Sequence, residues 1–127
     1  MINELCKEAH DNAVAKGFYE RERGLPELAM LIVGELSEAV EAERMGERVV
    51  SDFQKVIQLF AKPETWESEN AFNSYEHIIR GSIEEEIADT FIRLMDLCGF
   101  YGIDIDSAIK GKMIYNSKRE KKHGKKY

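Results

Sequence analysis

The sequence contains few cysteines, the residues that form disulfide bonds and zinc-ribbon sites. Its 127 residues include two cysteines, Cys6 and Cys98, which are far apart and form no Cys-x-x-Cys pair. A zinc ribbon and a dithiol redox motif are therefore excluded, and two buried free thiols are expected. No apolar run approaches the roughly 20 residues of a membrane span, and the N-terminus does not resemble a signal peptide. We therefore expect a cytoplasmic protein that does not contact membranes.

Strand signals are also missing, which favours a helical fold. No segment alternates apolar and polar residues, and no Asn-Gly or Asp-Gly hairpin turn occurs. The polar stretch 64–77 contains scattered aromatics, and we assign no helix to it. Ser82 and Glu85 match a capping box, and Asp104 can cap a final helix. The sequence predicts an all-α bundle of four to five helices in a single domain, 1–127, with helices over 2–16, 26–45, 52–61, 82–101 and 105–118.

Negative charge dominates, but it is unevenly distributed. The net charge is -6, whereas residues 118–127 hold six basic residues and one acid. The remaining 117 residues therefore carry 12 basic and 23 acidic groups. An acidic body repels phosphates, so a nucleic-acid partner is not expected. This distribution suits a protein that concentrates divalent cations.

Carboxylates fall on or beside the faces where the helical wheel places apolar side chains. Glu35 lies near the middle of the apolar face of the second helix, and Glu38 lies at its edge. Glu86 adjoins the apolar face of the helix that follows Ser82, and Asp89 lies one turn further on. Either pair alone is typical of a solvated face, but two pairs at i, i+3 spacing can grip one ion if the helices pack together. The two predicted apolar faces consist of Leu28, Leu31, Ile32, Leu36 and Ala39, and of Ile83, Ile87, Phe91, Leu94, Leu97, Cys98 and Tyr101.

Basic and amide side chains on the last helix offer a second kind of site. Lys112, Asn116 and Arg119 fall on one face, where they could bind polyphosphate oxygens. Arg93 follows Asp89 by one turn and could reach a carboxylate or a phosphate. Oxygen ligands without His or Cys favour Mg²⁺, with Mn²⁺ as a substitute, over Zn²⁺.

The segments LIVGELSEAVEAERMGE and EEEIADTFIRLMDLCGFYGIDIDSAIKGKMIYN carry Glu-x-x-Glu, Glu-x-x-Asp and a Lys/Asn pair in that order. They resemble the MazG-like nucleoside triphosphate pyrophosphohydrolases of the all-α NTP pyrophosphatase superfamily. The resemblance covers about 28–46 and 82–127. It implies a homodimer or homotetramer that hydrolyses a nucleoside triphosphate to the monophosphate and pyrophosphate, by attack of a metal-activated water on the α-phosphorus. By this similarity the metal ligands are Glu35, Glu38, Glu86 and Asp89, and the phosphate contacts are Lys112 and Asn116.

Two departures from the family pattern affect the mechanism. Many members have a glutamate where this chain has Gly34, so the general base remains open between Glu38 and Glu85. The segment 47–81 is longer than usual and is interpreted as an insertion, and 119–127 as a basic tail.

Two other functions are compatible with parts of the pattern. A di-iron carboxylate bundle is disfavoured because it uses Glu-x-x-His on paired helices, and the one match, Glu120-x-x-His123, lies in the basic tail. A non-catalytic helical module that binds a nucleotide or a partner, with residual metal affinity, would explain the missing acid at position 34.

Overall fold

The computed structural model describes residues 1–49, 58 and 69–120, and these residues form five helices and no strand. The all-α prediction is thereby confirmed. The predicted helix 52–61, apart from Gln58, and the basic tail beyond 120 lie outside the described residues. The helices are α1 (Ile2–Ala15), α2 (Leu25–Met45), α3 (Glu69–Ile78), α4 (Ile83–Tyr101) and α5 (Ile105–Ser117).

The predicted helix ends are confirmed by their capping contacts. Gly46 ends α2 in the left-handed conformation with φ of 75°, which glycine adopts without steric cost. Ser82 Oγ accepts a hydrogen bond from the Glu85 backbone N–H at 3.2 Å, as the capping box predicts. Asp104 caps α5 by accepting from the Ser107 N–H at 3.2 Å.

Helix α3 was not predicted. Polar residues dominate 64–77, and they obscure an apolar spacing of i, i+4, i+8 made by Ala71, Tyr75 and Ile79. Ala71 and Ile79 are fully buried, so this face of α3 turns inward, with Tyr75 half-buried between them. The i, i+4, i+8 spacing of these three residues is the sequence signal that indicates a helix in this segment.

The described chain divides into two compact units. The terminal unit comprises 1–23 and 92–120, and the central unit comprises the described residues of 24–91. Helix α4 is continuous through both, so its first half belongs to the central unit and its second half to the terminal unit.

In the terminal unit, the first turns of α1 and α5 cap each other. The Asp106 carboxylate accepts hydrogen bonds from the backbone N–H groups of Ile2 and Asn3, each at 3.2 Å. In return, Asn3 Oδ1 accepts from the N–H groups of Ile105 and Asp106 at 3.0 and 3.2 Å. Asn3 Nδ2 also donates to Asp104 at 2.8 Å. Backbone donors that neither helix can satisfy internally are thus paired across the contact.

The same unit holds a close contact between α1 and the second half of α4. A Cβ placed on Gly99 would lie 2.5 Å from the backbone oxygen of Cys6, so the helices approach too closely for any side chain there. Beside this contact, His10 Nδ1 lies 2.8 Å from Asp96, and the Tyr19 hydroxyl donates to the same carboxylate at 2.9 Å. Cys6 and Cys98 are both buried free thiols, as predicted.

In the central unit, the chain after α2 is fastened to the start of α4. The Ile83 N–H donates to the backbone oxygen of Glu47 at 3.0 Å. The Glu84 carboxylate accepts from the Val49 N–H at 3.0 Å and from Arg48 at 3.3 Å. These contacts, led by the Val49 hydrogen bond, hold the pKa of Glu84 below its usual value.

The predicted apolar faces differ from the buried ones. On α2 the buried residues are Leu28, Glu35, Ala39 and Ala42, whereas Leu36 is exposed. On α4 the buried side includes Ser82, Glu86, Thr90 and Cys98, and several predicted core residues are exposed. The helical wheel predicts that the apolar stripe of α4 is buried. In the structure, the side of α4 that carries Glu86 is buried instead along the first half of the helix. The exposed members of the predicted α4 stripe are Ile87, Phe91, Leu94 and Tyr101.

Candidate metal centre

Three of the four predicted metal ligands converge in the central unit. Glu35 extends from the middle of α2, and Glu86 and Asp89 extend from adjacent turns of α4. One carboxylate oxygen from each lies within 4.8 Å of the others. Glu35 is 8% exposed and Glu86 is 9% exposed, so the cluster lies largely out of water. Three carboxylates at this spacing can share one cation.

Glu86 is the electrostatically costly member of the cluster. Burial raises its pKa first, and the negative charges of Glu38, Glu85, Asp89 and Glu35 raise it further, in that order. Its carboxylate forms no hydrogen bond or ion pair with any residue that the structure describes. A buried carboxylate surrounded by like charges is unstable unless a proton or a cation compensates it.

Glu38, the fourth predicted ligand, lies outside the trio but close enough for its charge to act on Glu86. It is exposed and follows Glu35 by one turn of α2. Its carboxylate is therefore accessible to solvent at the edge of the cluster.

Glu85, the other candidate base, has a different environment. Its carboxylate accepts a hydrogen bond from the Gly81 N–H in the turn between α3 and α4, where Gly81 has φ of 76°. This hydrogen bond occupies one acceptor position of the Glu85 carboxylate.

Tyr75 is the residue that the sequence reasoning missed. Burial and the neighbouring Glu85 carboxylate, with smaller effects of Asp89 and Glu86, raise the pKa of Tyr75 to about 12. The hydroxyl is therefore a hydrogen-bond donor at neutral pH, next to the acidic cluster.

The residues of the cluster fit a hard divalent cation. All three ligands are carboxylates, and among the described residues no histidine or cysteine joins them in a group of possible metal ligands. Oxygen donors of this kind suit Mg²⁺, Mn²⁺ or Ca²⁺ better than softer metals.

The predicted phosphate-binding residues of the last helix lie in the terminal unit, as does Arg93. Lys112 and Arg119 both lie near the ring of Tyr115, with the Lys112 Nζ at 4.9 Å and the Arg119 Cζ at 5.6 Å from its centroid. Asn116, between them in sequence, has a buried Oδ1 that accepts no hydrogen bond within the described chain. Arg93 is half-buried on α4. Lys112 and Asn116 are thus one turn apart on α5, as the sequence predicts, and Arg119 follows the end of that helix.

Comparison with known protein families, with curated proteins and with solved structures finds no match to this chain. In the described part of the chain, no helix has the length and apolar character that crossing a membrane requires.

Proposed function

We propose that this protein is a Mg²⁺-dependent nucleoside triphosphate pyrophosphohydrolase of the MazG-like kind, converting a nucleoside triphosphate to the monophosphate and pyrophosphate. The observation that carries the proposal is the burial of Glu86 beside Glu35 and Asp89. The same three residues belong to the Glu-x-x-Glu and Glu-x-x-Asp motifs of the resemblance. A divalent cation at this position would compensate the charges and, when bound, would lower the pKa of water and offset the charge of the triphosphate.

Glu38 is our choice for the general base. Glu38 is exposed beside the cluster, whereas the Glu85 carboxylate accepts a hydrogen bond from the Gly81 N–H. A general base needs free lone pairs directed at the attacking water, and the Gly81 N–H already occupies one acceptor position of Glu85.

Phosphate binding is assigned to Lys112, Asn116, Arg119 and Arg93. The assignment rests on the resemblance for the first two and on side-chain chemistry for the arginines. Cationic and amide donors stabilise the negative charge that accumulates on the leaving pyrophosphate.

A homodimer or homotetramer is also part of the proposal. Met30, Val33 and Val40 lie along α2 and are half or more exposed, and Phe91 on α4 is 60% exposed. An apolar stripe of this kind commonly marks an interface between subunits. Light scattering should therefore give two or four chains per particle, and a monomer at micromolar concentration would remove this part of the proposal.

Pyrophosphate release from the eight common nucleotides and dUTP, measured with Mg²⁺ and with EDTA, tests the activity. We expect release from at least one nucleotide with Mg²⁺, none with EDTA, and roughly a 100-fold loss or more in Asp89→Asn. Tight nucleotide binding without turnover under every condition would instead favour a non-catalytic module.

A further inference from the structure

The end of α5 places two cationic side chains beside one aromatic ring. Lys112 precedes Tyr115 by three residues, and its Nζ lies 4.9 Å from the centroid of the Tyr115 ring. Arg119 follows Tyr115 by four residues, and its Cζ lies 5.6 Å from the same centroid. Residues three and four apart along a helix are neighbours on its surface. Tyr115 therefore lies next to both cations, which are themselves about two helical turns apart.

The backbone after α5 keeps Arg119 beside this ring. Lys118, the residue that follows the helix, retains helical angles with φ of −93° and ψ of −4°. The Lys118 N–H donates to the backbone oxygen of Tyr115 at 3.2 Å, and the Arg119 N–H donates to that of Asn116 at 3.2 Å. Arg119 thus continues the last turn, although it lies beyond the end of α5.

The two cations repel each other, and the ring offsets this repulsion only in part. The negative face of an aromatic ring attracts each cation, but Tyr115 is 57% exposed, so water weakens the attraction. A ligand with several negative oxygens would offset the remaining repulsion, because both cations could donate hydrogen bonds to it. Pyrophosphate, which carries more than one negative charge, fits this arrangement better than a single carboxylate.

We propose that Tyr115 is a positioning residue of the phosphate site: its ring holds the side chains of Lys112 and Arg119 on one side of α5, where both can bind one pyrophosphate group. This inference rests on the phosphate-binding part of the proposed function and does not involve the metal centre. Without the ring, each long side chain samples many rotamers, and ordering both on a ligand costs conformational entropy. The ring reduces this cost because it orders the cations before the ligand binds.

Isothermal titration calorimetry of the full chain with inorganic pyrophosphate, in the presence of EDTA, tests this role without the metal. We expect Tyr115→Leu to raise the Kd about fivefold or more, because two cation–π contacts are lost. Tyr115→Phe keeps the ring, so its Kd should stay within about twofold of wild type. Tyr101→Leu removes a half-exposed ring that contacts Phe100 in α4, and it should leave the Kd unchanged. Circular dichroism verifies that the variants remain helical.

A double-mutant cycle separates positioning of the cations from a direct contact between the ring and the ligand. In the Lys112→Gln background, Tyr115→Leu should raise the Kd by less than about threefold, because only Arg119 remains to be positioned. An effect that persists in full in that background would overturn the inference. An unchanged Kd in Tyr115→Leu would also overturn it, as would an equal loss in Tyr115→Phe, which would assign the effect to the hydroxyl.

These three results would leave the phosphate-binding assignment in place, because the wild-type chain would still bind pyrophosphate. A wild-type chain that binds no pyrophosphate would overturn that assignment, and this inference with it. The failure of the inference and the failure of the proposed phosphate site are therefore distinguishable.

Discussion

In the central unit, the stability of the fold and the proposed binding of a cation place opposite demands on Glu86. A glutamate buried among carboxylates lowers the stability of the fold unless it is protonated or compensated, and a leucine or glutamine at position 86 would avoid that cost. The residue type at position 86 is therefore better explained by a ligand than by packing. This argument separates Glu86 from the many exposed glutamates of the chain.

Replacement of Glu86 by glutamine should stabilise the metal-free protein at pH 7. Folded Glu86 has a raised pKa, so it binds its proton more tightly than the unfolded residue does. Its contribution to stability is complete below about pH 4.5 and is lost as the pH rises through the raised value. Thermal unfolding at pH 7 should give a gain of about 1 kcal/mol for the variant, or roughly 4 °C in Tm.

The same variant should lose the stabilisation that Mg²⁺ or Mn²⁺ gives to the wild-type protein. Without metal, the difference in Tm between the wild-type protein and the Glu86→Gln variant should decrease as the pH is lowered to about 4. A Glu86→Gln protein that is less stable than wild type at pH 7 without metal would show that Glu86 has a structural partner instead.

Glu38 and Glu85 should differ strongly when each is changed to glutamine. The exposed Glu38 is the proposed base, so Glu38→Gln should lower kcat by about 100-fold or more. Glu85→Gln keeps an oxygen that can accept from Gly81, and it should lower kcat by less than about tenfold. Steady-state pyrophosphate release measures both. Equal losses, or a larger loss in Glu85→Gln, would move the base to Glu85.

At the scale of elements, the contact of α1 with α4 depends on Gly99. A methyl group there would lie 2.5 Å from the Cys6 oxygen and 2.6 Å from the His10 Cβ. Because the backbone would have to move, Gly99→Ala should cost about 2–3 kcal/mol of unfolding free energy, measured by urea denaturation.

Gly34 and Gly111 are matched controls, since both lie inside helices and an added Cβ at either meets nothing within 4 Å. Gly34→Ala and Gly111→Ala should each stabilise the protein by about 0.5–1 kcal/mol through helix propensity. A Gly99→Ala protein as stable as these two would contradict the close approach of α1 and α4.

The reciprocal caps of α1 and α5 should make the terminal unit sensitive to acid. Hydrogen bonds from Asn3 and Ile2, opposed by some burial, hold the pKa of Asp106 below its usual value of 3.8. Its contribution to stability is therefore present above about pH 4 and lost as the pH falls through the lowered value. Asp106→Asn should lower the Tm at pH 7, and the difference should shrink below about pH 4.

Asp11→Asn provides the control, because Asp11 is an exposed carboxylate on α1 paired with Lys7 on the same helix. That variant should change the Tm little at any pH. A Tm difference for Asp106→Asn that is constant from about pH 7 to pH 3 would exclude a role for the ionised carboxylate.

The ends of α2, α4 and α5 could be predicted because local chemistry determines them. Gly46, Ser82 and Asp104 each act within a few residues of their own position, so the sequence contains the full signal. Helix α3 depends on burial of Ala71 and Ile79, which polar composition obscured. The helical positions of Glu35, Glu86 and Asp89 were sufficient to select these three neighbouring carboxylates. The burial that raises the pKa of Tyr75 depends on tertiary packing, which no local pattern indicates.

At the scale of the whole molecule, part of the apolar face of α4 is exposed while a carboxylate of the same helix is buried. Ile87 and Phe91 are exposed while Glu86 and Thr90 are buried. Amphipathic periodicity predicts that one face of a helix is apolar. It does not indicate whether the same chain or a second chain covers that face. In the proposed homo-oligomer, another subunit would cover this exposed apolar face, and the inward carboxylates would bind the proposed cation.

Binding of one divalent cation by the carboxylate cluster is the central claim, and a Mn²⁺ titration of the wild-type chain tests it directly. Isothermal titration calorimetry should show one ion per chain with a Kd on the order of micromolar to submillimolar, and Mg²⁺ should compete for the site. Glu35→Gln and Asp89→Asn should each weaken binding about tenfold or more. If the wild-type chain and both variants bind Mn²⁺ with the same Kd, the claim is contradicted.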